Sequence, residues 1–399
     1  MNGIGAWPRG RGALPNHFSR SSPNFSSLTS TGVPKGEAGP SQPMPMAGPL
    51  SRHGEGLAGS GKEEICAALD LGTNNCRLMI ASRTVAGFRV LDSYSRIVRL
   101  GEGLQGTGEL NEEAMIRTLD VLRVCNTRLG RHRSVRLRAV ATEACRRARN
   151  GRDFVERIRR ETGLDFEIIS GREEAELAVE SCSALLHRDF PALGEQNPPE
   201  WGLLLDIGGG STEIAWVKLS STDRKHEVVG YVSLPVGIIT LAEMFPPSQS
   251  DAYAAMLSFV HEHMAKFEQA CQIQQQLDRG AVRVVGTSGT VTTLASLDLD
   301  LPRYMRHVVD GYCLHPENAR SAMHRLHRMG TNGMRVHPCI GPERAPSVMP
   351  GCAIFEAFLS LWPSSIIVAD RGLRDGLLLR MMREDKMVPR EINPASRSV

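Results

Sequence analysis

The sequence predicts an α/β protein built from two related domains. Three observations carry this. At 399 residues the chain is long for one hydrophobic core and ordinary for two domains. Apolar runs of strand length alternate with helical stretches through the body of the chain. One short design also occurs twice. In ALDLGTNN (68–75) and LLLDIGGGSTE (203–213) an apolar strand ends in an aspartate, a glycine-containing polar turn follows, and a second strand begins. Asp70 and Asp206 lie 136 residues apart, the separation expected of a duplication at domain scale.

Taken in order, the first 60 residues contain 8 Pro, 11 Gly and 9 Ser and show no helical or strand period. Such a segment buries too little apolar area to offset its chain entropy, so residues 1–62 are expected to form a disordered extension. It lacks the apolar core of a secretory signal; an organelle transit peptide or a misplaced start codon stays open. Strands are expected at 65–71, 76–82, 87–94, 135–140, 166–169, 203–207, 213–218, 228–234, 281–285 and 365–369. Helices are expected at 112–129, 152–161, 172–186, 251–276, 289–297, 315–328, 352–361 and 373–382. Asn111 before Glu112 and Glu113 caps the first long helix. The proline- and glycine-bearing loop at 187–201 puts a domain boundary near residue 187, giving domains 63–186 and 187–385 and a short tail at 386–399.

Composition narrows the function. With 41% hydrophobic and 23% charged residues, the chain reads as soluble and globular. A net charge of +3 gives no argument for DNA or RNA, and no run approaches the 18 apolar residues or so that a membrane span needs. Nine cysteines without a CxxC pair fit a reducing cytoplasm.

The glycine turns suggest the chemistry. Phosphate oxygens need several converging donors, and backbone N–H groups supply them only where no side chain blocks the approach. Hydroxyls add donors, and an aspartate at the strand end holds Mg²⁺ or its water shell against the phosphate charge. A third such turn, VVGTSGT (284–290), follows a strand and leads into a helix. Two turns facing each other across a cleft would grip a phosphate chain from both sides.

These stretches, together with ATEACRRA (141–148), IISGREEAEL (168–177) and VADRGLRDGLL (368–378), occur in the order seen in the exopolyphosphatase and guanosine pentaphosphate phosphatase (Ppx/GppA) family. The chain resembles that family over roughly residues 63–385. The resemblance implies two ribonuclease-H-like domains of the actin-like ATPase superfamily flanking a central cleft. It also implies Mg²⁺ (Mn²⁺ as a substitute), inorganic polyphosphate or guanosine pentaphosphate as substrate, and room for a homodimer. Residue by residue, it makes Glu174 the catalytic base and Arg146 a contact to substrate phosphate. Gly72, Thr73 and Asn74 match the first phosphate loop, and Gly208, Gly209, Gly210, Ser211 and Thr212 the second. Ser288, Gly289 and Thr290 belong to the third turn, and Asp70, Asp206 and Glu213 to the metal site. Thr73 and Asn75 stand where serine is frequent in the family. The C-terminal helical domain of long members has no counterpart, which moves weight towards short polyphosphates or the nucleotide.

Other readings compete. Ser170-Gly171-Arg172-Glu173 is a capping box, which makes Glu173 the capping acid and leaves Glu174 for function. Four arginines at 146, 147, 149 and 152 could be a solvated basic face. Cys125 and Arg131 have the spacing of a cysteine phosphatase, but inside a helix and without a cradle loop. His324 and His327 lack an evident acid or cysteine partner and read as surface residues. A small-molecule kinase and a non-catalytic nucleotide-gated regulator of the same superfamily are the alternative functions.

Overall fold

The computed structural model describes residues 64–85, 87–190, 193, 198–220, 225–246 and 251–383; the expected N-terminal extension and C-terminal tail lie outside them. The first half contains β1 (Ile65–Leu71), β2 (Asn75–Thr84), β3 (Gly87–Ile97), α1 (Leu104–Thr107), α2 (Glu112–Leu129), β4 (Val135–Ala141), α3 (Glu143–Arg147), α4 (Gly151–Thr162), β5 (Phe166–Ile168) and α5 (Gly171–Leu186). Its five strands form one sheet in the order β3-β2-β1-β4-β5. The β1–β2–β3 meander is antiparallel and β4 and β5 run parallel to β1. The central strand β1 reads ICAALDL because both of its faces are covered, whereas the edge strand β3 is mostly exposed.

The second half contains β6 (Trp201–Ile207), β7 (Thr212–Leu219), β8 (His226–Leu234), α6 (Ile238–Met244), α7 (Ala252–Cys271), α8 (Ile273–Asp278), β9 (Val282–Thr287), α9 (Gly289–Asp298), α10 (Arg306–Val309), β10 (Cys313–Leu314), α11 (Pro316–Val336), α12 (Ala345–Leu361), β11 (Ile366–Ala369) and α13 (Leu373–Arg383). Its sheet runs β10-β11-β9-β6-β7-β8. Apart from the added antiparallel edge strand β10, order and strand directions repeat those of the first sheet. The ribonuclease-H-like design is therefore present twice. The two aspartates hold equivalent places near the C-terminal ends of β1 and β6, where Asp70 pairs with Arg77 and Asp206 with Glu213.

Four apolar clusters hold this together. One face of the first sheet packs on α2 and α4, and one face of the second on α7, α9, α11 and α12. The two remaining faces are covered crosswise. Helix α5 follows a strand of the first sheet but buries Ala175, Ala178, Val179 and Cys182 against Leu204, Ala215 and Val285 of the second. Helix α13 follows a strand of the second but buries Leu377, Leu378 and Met381 against Cys66, Ala68 and Met79 of the first. The two helices cross in backbone contact at Gly376, where any Cβ would overlap the Leu177 carbonyl. This exchange ties the two sheets into one body and puts the start of α5 between them.

The long elements lie where the sequence predicts them, and the differences are local. The helix expected over 251–276 breaks at Gln272, which adopts left-handed φ 53°. The helix expected over 315–328 continues to Val336 across a kink at Gly330 (φ 63°, ψ 173°). The helix expected from 352 begins at Ala345: Pro346 sits in the first turn, which has no N–H partner to lose, and Pro350 is absorbed in the interior. No helix among the described residues is long and apolar enough to cross a membrane.

Candidate active site

The two duplicated turns close in the same way. Gly72 N–H donates to the Asn75 carbonyl and Gly208 N–H to the Ser211 carbonyl, both at 2.9 Å. The structure brings them into direct contact rather than leaving them apart across a gap. A Cβ on Gly209 would lie 3.1 Å from Asn74 N, and one on Gly210 would overlap Thr73 Oγ1. The glycines thus serve close packing of turn on turn as well as access to backbone N–H groups.

Around this contact opens a cavity of about 830 Å³. Most of the residues singled out above line it: Asp70, Gly72, Thr73, Asn74, Glu174, Asp206, Gly208, Gly209, Gly210, Ser211, Glu213, Ser288, Gly289 and Thr290. The structure leaves two of them outside the lining. Thr212 is buried and its hydroxyl donates to the Val236 carbonyl at 2.6 Å. Arg146 is half-buried beside Glu174, donating to Glu174 Oε2 (3.1 Å), the Ile169 carbonyl (2.8 Å) and Glu143 Oε2 (2.7 and 3.0 Å). No described residue donates a hydrogen bond to Glu174 Oε1, which leaves that oxygen for water in the cavity.

The local reasons are visible in the chain. Ser170 Oγ accepts from Glu173 N–H at 3.1 Å and starts α5, which sets Glu174 in its first turn. The Glu173 carboxylate does not return to the cap; it pairs with Arg138 at 2.5 Å and with Arg380 at 3.6 Å. Ser288 caps α9 by accepting from Thr290 N and Val291 N, both at 3.1 Å.

Four carboxylates converge electrostatically. Burial and the Glu174 charge push Asp206 up to about 7. Burial and the Asp206 charge push Glu213 up to about 8, although the Ser211 and Ser233 hydroxyls act the other way, Ser233 Oγ donating at 2.8 Å. Burial and then Glu213 hold Glu174 well above the usual carboxylate range, against the pull of Arg146. Asp70 is also raised by burial, offset in part by Arg77 and Arg374. A divalent cation would relieve the repulsion among these buried acids, and their all-oxygen donor set fits a hard ion. Among the described residues no three His, Cys, Asp or Glu side chains converge closely enough to coordinate it outright. A hard ion here would keep several of its waters and bind through one or two carboxylates plus substrate phosphate.

Sequence reading missed Arg77, Arg374 and Ser233. Arg77 and Ser233 had a signal, since each is the cross-strand partner of a predicted site acid; Arg374 lies in the VADRGLRDGLL stretch, but α13 reaches the first sheet only through the helix exchange. The decoys fall away. Cys125 is fully buried in α2. His327 does have an acid nearby, Glu356, and packs edge-on against Tyr253 at 4.4 Å.

The Ppx/GppA phosphatase family model matches residues 79–385. The chain belongs to this family. Among solved structures, the Ppx/GppA family member of Aquifex aeolicus is 26% identical, with a TM-score of 0.64 over 82% of this chain and all of that one. An exopolyphosphatase from Cytophaga hutchinsonii is 25% identical, with a TM-score of 0.70 over 81% of this chain and 99% of that one. This Ppx/GppA protein is accordingly a phosphatase that binds phosphate-bearing substrates.

Proposed function

We propose that this phosphatase is a Mg²⁺-assisted phosphoanhydride hydrolase. It releases terminal orthophosphate from inorganic polyphosphate, the 5′ γ-phosphate of guanosine pentaphosphate, or both. The observation that carries the reading is Glu174, a cavity-wall carboxylate with one oxygen held by Arg146 and the other open to water.

Backbone N–H groups of the first two turns receive the terminal phosphates, since phosphoryl transfer is mostly positioning and charge stabilisation. Arg77 and Arg374 add positive charge beside Asp70. Glu174 takes a proton from a water as its oxygen attacks the terminal phosphorus in line. The bridging P–O bond breaks, and its electron pair leaves on the shortened chain. Asp70, Asp206 and Glu213 would hold Mg²⁺ mostly through its water shell, with at most two of them bound directly, and the ion would neutralise charge on the leaving phosphate. Arg146 holds Glu174 in this reading, with one N–H left for substrate.

The test is phosphate release by one purified sample from polyphosphate, guanosine pentaphosphate, ATP and p-nitrophenyl phosphate, with Mg²⁺ and with chelator. Release from neither of the first two, or ATP use that depends on an added acceptor, would overturn the reading in favour of a kinase.

A further inference from the structure

Glu143 is a carboxylate only 9% exposed that no step above employs. It opens the five-residue helix α3, and Arg146 one turn later folds back onto it. Nε and Nη2 of Arg146 both donate to Glu143 Oε2, at 3.0 and 2.7 Å. Nη1 reaches the other way, to the Ile169 carbonyl at 2.8 Å and to Glu174 Oε2 at 3.1 Å. The guanidinium is thereby stretched between two carboxylates on different helices and pinned to the backbone between them.

An arginine with a flexible stem holds one orientation only when its fork is fixed by partners. The Glu174 carboxylate has no other hydrogen-bonding partner among the described residues, so its aim depends on that fork. Without Glu143, two of the four bonds that fix Arg146 are lost.

We infer that Glu143 is a positioning residue: acting through Arg146, it holds the Glu174 carboxylate at the cavity wall. This rests on the reading of Glu174 as the base. Its consequence is that removing Glu143 lowers turnover while substrate binding is kept.

The experiment compares Glu143→Ala, Glu143→Gln, Glu174→Gln and the double variant Glu143→Gln/Glu174→Gln. It measures kcat and KM on short-chain polyphosphate with Mg²⁺ saturating, and the melting temperature of each. Misplacing a reacting group by an ångström costs about 10²-fold, which is the loss in kcat expected for Glu143→Ala, with KM unchanged. Glu143→Gln keeps an acceptor oxygen in place and should recover about tenfold of that loss. In the double variant kcat should fall no further than in Glu174→Gln alone, because the two residues act through one group. A raised KM at unchanged kcat, or a fully additive loss in the double variant, overturns the positioning role. If Glu143→Ala does not fold, a folded Glu143→Gln with wild-type kcat overturns it equally. An inactive Glu174→Gln beside a fully active Glu143→Gln sinks this inference alone, whereas a fully active Glu174→Gln sinks the base assignment beneath it.

Discussion

Asp206→Asn should make the protein more stable while damaging the site, and the gain should depend on pH. Asparagine keeps the size and polarity of the side chain but cannot ionise. In the folded chain Asp206 titrates near 7 against an ordinary 3.8, because burial and Glu174 oppose its charge. The acid's folded value is raised, so folding favours the protonated form. Stability is therefore lost as pH rises from the unfolded value and is fully lost above the folded one. A rise from 3.8 to about 7 corresponds to roughly 4 kcal/mol at most. Asp206 keeps some contact with cavity solvent, and screening brings the expected gain to about 1–2 kcal/mol near pH 8. Near pH 5, where the folded aspartate is already protonated, linkage leaves less than about half of that. The assay is urea unfolding of both proteins at the two pH values, with EDTA and with Mg²⁺. Mg²⁺ near pH 8 should raise the stability of the parent and have little effect on Asp206→Asn. A variant less stable than its parent by the same amount at both pH values would refute the electrostatic account.

The remaining predictions concern single positions. Glu174→Gln should lower kcat by about 10²–10⁴ with substrate affinity held or improved, measured by single-turnover phosphate release. Glu173→Gln is its control, and should lose some stability with its Arg138 ion pair but keep most of the rate. Gly210→Ala should cost about 1–3 kcal/mol and most of the activity. Thr73 is boxed in by Gly101 as well as Gly210 and cannot give way to a new methyl; a wild-type melting curve would show that the two turns do not pack as described. Cys125→Ser should keep activity within a few-fold, and a phosphocysteine trapped in mass spectrometry would overturn the water mechanism.

What the chain determines by itself is local. The apolar run of β1, the Ser170 and Ser288 caps, the acid at the end of each first strand and the glycine turns all follow from neighbours a few residues apart, so the sequence pattern carries them. The duplication is legible for the same reason, since each copy repeats a short local design. The misplaced helix ends are local too, but they hang on single backbone conformations at Gln272, Gly330 and the prolines of α12, which periodicity does not register. Only the tertiary structure decides the rest. That α5 and α13 exchange sheets depends on which apolar faces remain uncovered after each sheet has formed, and no window of sequence contains that. The contact of Gly210 with Thr73, the pairing of Arg146 with Glu174 and the entry of Arg374 beside Asp70 all follow from this exchange and from chain segments far apart in sequence. The raised carboxylates follow last. Asp70, Glu174, Asp206 and Glu213 are ordinary acids one at a time, and burial in one cavity makes them resist ionisation together.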